Sequence, residues 1–323
     1  MMSSTLVLSH DETAEALQPE PLLGAVRTAL IATSRGEASV PARVAAFSPA
    51  GLLGAMPGYV PGLGLAGKLV SIFPGAGPGG RSLHQGIVAL IDENDGRVLS
   101  IMNGEAVTAK RTAASATVAF EALTPPGVER IAVIGAGIQA RAQLDFLVHL
   151  GISADVTVAS RNASTARQLA EEFSRGDVES VPCVRPVGSI RDAVSTADVV
   201  FCCTDADRPV VQHGWLRPHA HISSVGGSRG PELDQATLTT ASLFVEWAGA
   251  ISSAPPAGAH ELQNVPDERA TLVGATLSGD QPARAADEMT VYKSTGYAAL
   301  DVAAASTAYR FALEHGIGTR VDI

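Results

Sequence analysis

Residues 129–150 read ERIAVIGAGIQARAQLDFLVHL, and this stretch decides the fold. Residues 131–134 are a short apolar run between a charged segment and Gly135, which predicts a parallel strand buried on both faces. Gly135-Ala136-Gly137-Ile138-Gln139-Ala140 is a GxGxxA turn, and Ala142, Phe146 and Leu150 follow at helical spacing. Strand, glycine turn and helix together make a dinucleotide cradle. Gly135 permits the turn, and Gly137 lets backbone approach a pyrophosphate. Ala140 keeps helix and strand close, and the N–H groups of the first helical turn face the phosphates. The competing reading is a glycine turn that serves packing alone.

A second strand is expected over residues 156–160. It ends Ser160-Arg161-Asn162, without the carboxylate that commonly accepts from the ribose 2′-OH of NAD. A guanidinium there suits a 2′-phosphate, so NADP(H) is favoured and NAD(H) is the alternative.

Working outward, composition sets the bounds. A chain of 323 residues accommodates two domains that each bury a core. A net charge of −10 argues against a nucleic-acid or anionic-membrane surface. Three cysteines make no disulfide framework and show no metal spacing. Cys183, Cys202 and Cys203 are therefore expected to be small buried residues. No metal site is expected. The first ten residues lack a basic stretch and a long apolar run, and no apolar run is long enough to span a bilayer. The expectation is a cytoplasmic protein.

The N-terminal half reads as a largely antiparallel sheet. Strand-like runs fall at residues 6–8, 44–47, 51–56, 68–73, 87–91 and 98–102, with a hairpin turn at 92–96. Ser9 or Asp11 could cap a helix broken by Pro19 and Pro21 and resuming over 22–35. Residues 108–123 form an Ala-rich helix, and Thr124-Pro125-Pro126-Gly127 is the best linker. Strands and helices then alternate. Strands are expected near 181–184, 199–204, 222–226 and 243–247, with helices at 163–173, 190–197 and 232–241. The fold class is α/β: a Rossmann-type doubly wound parallel sheet plus an α/β substrate-binding and dimerisation domain with a largely antiparallel sheet. The substrate domain is expected over residues 1–124, completed by the late helix from about 296 to 323, and the cofactor domain over 125–295.

Several cations and His84 stand out in the first segment. They are Arg43, Lys68, and Lys110-Arg111 in what would be the first turn of the Ala-rich helix. A cation opposes the dipole at a helix start, so an anion bound between Arg111, Arg43 and the helix N–H groups would suit all three. Each cation taken alone is more often a solvated side chain or part of a surface salt bridge.

The chain resembles the ornithine cyclodeaminase/mu-crystallin family from about residue 40 to 318. The carriers include Gly67-Lys68-Leu69-Val70 with Phe73-Pro74-Gly75, His84-Gln85-Gly86, Thr108-Ala109-Lys110-Arg111-Thr112 and the GxGxxA turn. Glu232-Leu233-Asp234 and Thr290-Val291-Tyr292-Lys293-Ser294-Thr295-Gly296 continue the series. The resemblance implies a homodimer, hydride transfer between a nicotinamide and the α-carbon of an amino or imino acid, and Arg43, Lys68 and Arg111 against the substrate carboxylate. Expected cofactor contacts are Thr108, Gly135, Gly137, Ile138, Gln139, Ser160, Arg161, Asn162, Thr204, Val225, Gly226 and Ser294.

Cyclodeaminases of the family carry an Asp where this chain has Ser228, and a hydroxyl cannot replace an ionisable base. Ala76 also stands where many relatives have Asn. The expectation is one-way reduction of a small ketimine carboxylic acid, with Lys68, His84 and Ser228 as candidate catalytic residues and either Lys68 or His84 as proton donor. Ornithine cyclodeamination and an alanine-type dehydrogenation are the enzymatic alternatives. An NADPH-dependent small-molecule binder is the non-enzymatic one, and the scarcity of aromatics disfavours it.

Overall fold

The computed structural model describes residues 4–73, 84–174, 183–227, 229–285 and 287–322. The chain forms two units, residues 1–111 with 297–323, and residues 112–296. The division falls inside a helix, whereas the sequence reading set it at 124/125.

The first unit opens with β1 (Ser4–Leu8), α1 (His10–Ala16) and α2 (Pro19–Ser34). Ser9 and Glu12 close a reciprocal capping box on α1. Pro19 starts α2 rather than delaying it, because a proline at the first helical position loses no hydrogen bond the helix would make. Five strands follow: β2 (Val44–Ser48), β3 (Gly51–Val60), β4 (Gly64–Ile72), β5 (His84–Ile91) and β6 (Val98–Asn103).

Next comes α3 (Gly104–Leu123), which starts four residues before the expected Thr108. Asn103 is the cause: its side-chain oxygen accepts from the N–H groups of Glu105 and Ala106 and caps the helix there. Arg111 is consequently not in the first turn. The helix dipole therefore does not call for an anion beside Arg111, whose partner lies elsewhere.

The second unit is built on β7 (Arg130–Ile134), α4 (Ile138–His149), β8 (Asp155–Ala159), α5 (Ala163–Ser174), β9 (Val184–Pro186) and α6 (Ile190–Val194). It continues with β10 (Val199–Cys202), β11 (His221–Ser224), α7 (Gln235–Thr240), β12 (Ser242–Val245) and α8 (Gly249–Ser252). The last pieces are β13 (Ala270–Leu272), α9 (Val273–Leu277) and β14 (Thr290–Lys293).

Its eight-stranded sheet runs β13-β12-β14-β11-β10-β7-β8-β9, and every recorded pairing is parallel. Alternate residues serve opposite faces: Ala132 and Ile134 join one apolar cluster, Ile131 and Val133 the other. That double burial is why the strand reads as a continuous apolar run. β14 was recognised only as a motif, not as a strand; it inserts between β11 and β12. Gly135 takes φ +114°, and a Cβ there would lie 2.4 Å from the Cys203 carbonyl, so only glycine fits this turn. Cys202 is buried as expected, but Cys183 is exposed just before β9.

The chain returns to the first unit through α10 (Ala298–His315) and β15 (Thr319–Asp322). The seven-stranded sheet runs β15-β1-β6-β5-β4-β3-β2, antiparallel except for β1 against β6. α10 packs on α2 and on β3 and β4, and nearly all of its first three turns are buried. Across β4 the pleat turns Ala66 and Lys68 inward and Leu65 and Leu69 outward. On the outer face Leu69 and Ile87 are cross-strand neighbours, and Val44 and Leu53 of the adjoining strands are also exposed. No helix among the described residues is long and apolar enough to cross a membrane.

Candidate functional site

Within the first unit, three elements converge on one carboxylate. Asp301 lies in the second half-turn of α10 and is 1% exposed. Its Oδ1 accepts from Lys68 Nζ on β4 at 3.3 Å and from Arg111 Nε on α3 at 3.2 Å. Lys68 and Arg111 are both buried. Lys68 also donates to the Thr108 hydroxyl, which in turn donates to the Gly104 carbonyl at 2.6 Å. Among the described residues Asp301 Oδ2 has no partner.

Two cations share one carboxylate, so the cluster carries an excess positive charge when Lys68 is protonated. Burial, and after it the charges of Arg111 and Arg43, lower the Lys68 ammonium, and Asp301 only partly offsets them; its pKa falls to about 8. Arg43 stands just before β2, close enough for its charge to be felt at Lys68. Thus Arg43, Lys68 and Arg111, singled out from the sequence, are gathered in one unit. The residue that gathers two of them was missed. Its signal was a lone carboxylate in the apolar run Tyr297-Ala298-Ala299-Leu300-Asp301-Val302-Ala303.

Within the second unit, the glycine turn could hold a pyrophosphate. Gly137 caps α4 with no side-chain hydrogen bond, and the space a Cβ would occupy there is open. The N–H groups of the first turn are therefore not engaged by a capping side chain. Gln139 Oε1 is buried without a partner among the described residues. Ile138 beside it is an exposed apolar side chain. The residues fit a dinucleotide at this turn.

Past β8, Arg161 is exposed. Asn162 accepts from the Ser164 N–H at 3.0 Å and hydroxyl at 2.7 Å, so its side chain serves the start of α5. Thr204 and Gly226 follow β10 and β11 and are tied to the wholly buried Glu232. Val225 N–H donates the last ladder bond, to the Cys202 carbonyl. Ser294 is buried and donates to Glu246 at 2.8 Å. Thr108 lies in the other unit, on Lys68. Of the catalytic candidates, Ser228 lies outside the described residues, as does Ala76, and His84 is placed only as the first residue of β5.

The doubly wound parallel sheet and its glycine turn define the class of nicotinamide-dependent oxidoreductases. The chain belongs to the ornithine cyclodeaminase/mu-crystallin family, whose profile matches residues 3–316. It is 33% identical over 318 residues to the ketimine reductase mu-crystallin of Rattus norvegicus, covering 96% of this chain and 98% of that one. It is similar to Thermococcus litoralis Δ1-pyrroline-2-carboxylate reductase in complex with NADH and L-proline. That structure has a TM-score of 0.87 and 30% identity, with 98% of this chain and 100% of that chain covered. An archaeal alanine dehydrogenase dimer with bound NAD gives a TM-score of 0.86 at 27% identity, with 99% of each chain covered. The protein is an NAD(P)-dependent enzyme of the imine reductase/amino-acid dehydrogenase type.

Deleting the Asp301 carboxylate leaves two buried cations without their counter-ion. Asp301→Ala is expected to lower unfolding stability by about 3–5 kcal/mol, the range for breaking a buried pair from one side. Urea melts of the two proteins measure this, and a loss under about 1 kcal/mol would contradict the burial of the cluster.

Proposed function

We propose that the protein reduces a small α-imino carboxylic acid, such as a cyclic ketimine carboxylate, to the amino acid. The observation that carries this reading is the sharing of one carboxylate by two buried cations, Lys68 and Arg111. Their excess positive charge is a site for the substrate carboxylate, with Arg43 as a further cation. When bound, the reduced nicotinamide supplies the hydride to the α-carbon. Arg111 offers the substrate a guanidinium whose Nε is already fixed by Asp301, so its remaining N–H groups are aimed before the substrate arrives. Lys68 is the proton donor we favour over His84, because its pKa of about 8 lets it hold a proton at neutral pH and release it readily. Ornithine cyclodeamination is the second reading. Ser228 in place of an ionisable base disfavours it.

The carboxylate requirement is tested with NADPH and a ketimine acid beside its methyl ester. Arg111→Lys keeps the charge but loses the fork, and kcat/KM is expected to fall on the order of a hundredfold. Equal turnover of acid and ester would refute the anion site. The sign of the pH dependence follows from Lys68: the ammonium is present below about pH 8 and lost above it. Accordingly kcat/KM should decline above about pH 8, and Lys68→Met should abolish that limb along with most of the activity. A wild-type profile flat to pH 10 excludes this role.

For the cofactor, Ser160-Arg161-Asn162 supports NADP(H): no carboxylate is present at the end of β8, and Arg161 is exposed for a 2′-phosphate. Arg161→Asp is expected to weaken NADPH more than NADH in fluorescence titrations. A wild-type preference for NADH by tenfold, about 1.4 kcal/mol the other way, would sink the assignment.

For assembly, the exposed outer face around Val44, Leu53, Leu69 and Ile87 supports a homodimer through the first unit. Light scattering at micromolar concentration should report twice the chain mass, and a monomer there would overturn it.

A further inference from the structure

The carboxyl ends of β10, β11 and β14 meet at a group of charges that the reduction chemistry above does not use. Glu232 is wholly buried and accepts four hydrogen bonds. Its Oε1 takes the Thr204 N–H at 2.7 Å and the Thr204 hydroxyl at 2.6 Å. Its Oε2 takes the Ser224 hydroxyl at 2.7 Å and the Gly226 N–H at 2.8 Å. Lys293, at the end of β14, donates to Ser224 Oγ at 2.8 Å and to the Gly226 carbonyl at 2.9 Å, and pairs with Glu261 at 2.9 Å. Burial opposes the Lys293 charge, but Glu261 and Glu232 outweigh it and raise its pKa, so the ammonium is held.

The position of this group is what matters. The ladder between β10 and β11 ends where Val225 N–H meets the Cys202 carbonyl. Two residues beyond the end of each strand, Glu232 bridges Thr204 to Gly226 and extends the connection beyond the sheet. There is no slack: a Cβ on Gly226 would lie 2.0 Å from the Thr204 carbonyl and 2.5 Å from Glu232 Oε1. In a doubly wound sheet the first half, here the β7–α4 turn and the end of β8, takes the adenylate side. The loops after the second half's strands take the other mononucleotide.

We propose that Glu232 is a positioning residue for the nicotinamide half of the cofactor, acting by locking the Thr204 and Gly226 loops together. This rests on the dinucleotide reading of the second unit. The chemistry requires a carboxylate. Four donors converge on two oxygens, and only an ionised carboxyl is acceptor-only at both. Glutamine has the same shape, but in either orientation its NH2 faces two donors, so one of the two loops is released.

The test compares Glu232→Gln with wild type in calorimetric titrations of NADPH, NADH, ADP and adenosine 2′,5′-bisphosphate. The last two are fragments of the adenylate half. The expected result is a loss of about tenfold or more for the whole dinucleotide, with fragment affinities within about twofold of wild type. A merely structural carboxylate would weaken dinucleotide and fragments alike, and that result, or unchanged NADPH and NADH affinity, overturns the proposal. Should Glu232→Gln fail to fold, Ser224→Ala decides. It removes the hydroxyl that links Lys293 to Glu232, and is expected to weaken the dinucleotide a few-fold and leave the fragments unchanged; equal dinucleotide affinity overturns the proposal. Wild-type protein that binds neither the dinucleotides nor the fragments would instead refute the cofactor reading itself, and this inference with it.

Discussion

The first unit depends on one shared carboxylate. Asp301 Oδ1 faces Lys68 and Arg111 at nearly equal distances, and all three side chains are buried. Isolated buried charges are too costly to persist, so each cation needs the carboxylate as much as the carboxylate needs them. The three residues come from β4, α3 and α10, and the last of these is some 190 residues beyond Arg111. The ion cluster therefore ties the returning C-terminal helix to the sheet that was built first. The same electrostatics give the cluster its chemistry. Two cations share one anion, and burial with the crowding of positive charge lowers Lys68 toward neutrality.

The second unit uses the same device with the signs reversed. Glu232 and Glu261 are buried around Lys293, and backbone and hydroxyl donors complete Glu232. Parallel strands offer no side-chain interlock once their ladders end, so loops that leave their carboxyl ends need another constraint. A carboxylate able to accept four hydrogen bonds supplies it, at the end of the sheet where doubly wound folds bind their ligands. Each unit thus holds one buried cluster of opposite charges, and the chain that carries them belongs to the ornithine cyclodeaminase/mu-crystallin family.

Much of this was legible in the sequence, for local reasons. The apolar run of β7, the glycines after it and the spacing of α4 are dictated within about twenty residues, and so is the hairpin at 92–96, while the choice of Ser9 over Asp11 as the cap of α1 came only with the structure. Arg43, Lys68 and Arg111 stood out as cations in otherwise apolar or glycine-rich stretches. The start of α3 lies four residues before the expected Thr108, because the residue that caps it is Asn103, at the end of a strand. β14 reads in sequence only as part of the family motif, because Thr290 and Lys293 make both of its ends polar. Cys183 is expected inside on composition, but it lies exposed just before the short strand β9.

The sequence by itself determined the dinucleotide turn, the order of strands and helices around it, and which cations were worth watching, because each of these is written in neighbouring residues. Tertiary structure alone decided what those cations face. Glu232 and Glu261 look in sequence like ordinary carboxylates, and Asp301 differs only in standing alone in an apolar run. Their partners lie 6 to 233 residues away, and only folding of the sheets brings donor and acceptor together out of water, where the pairing becomes strong enough to shape a site.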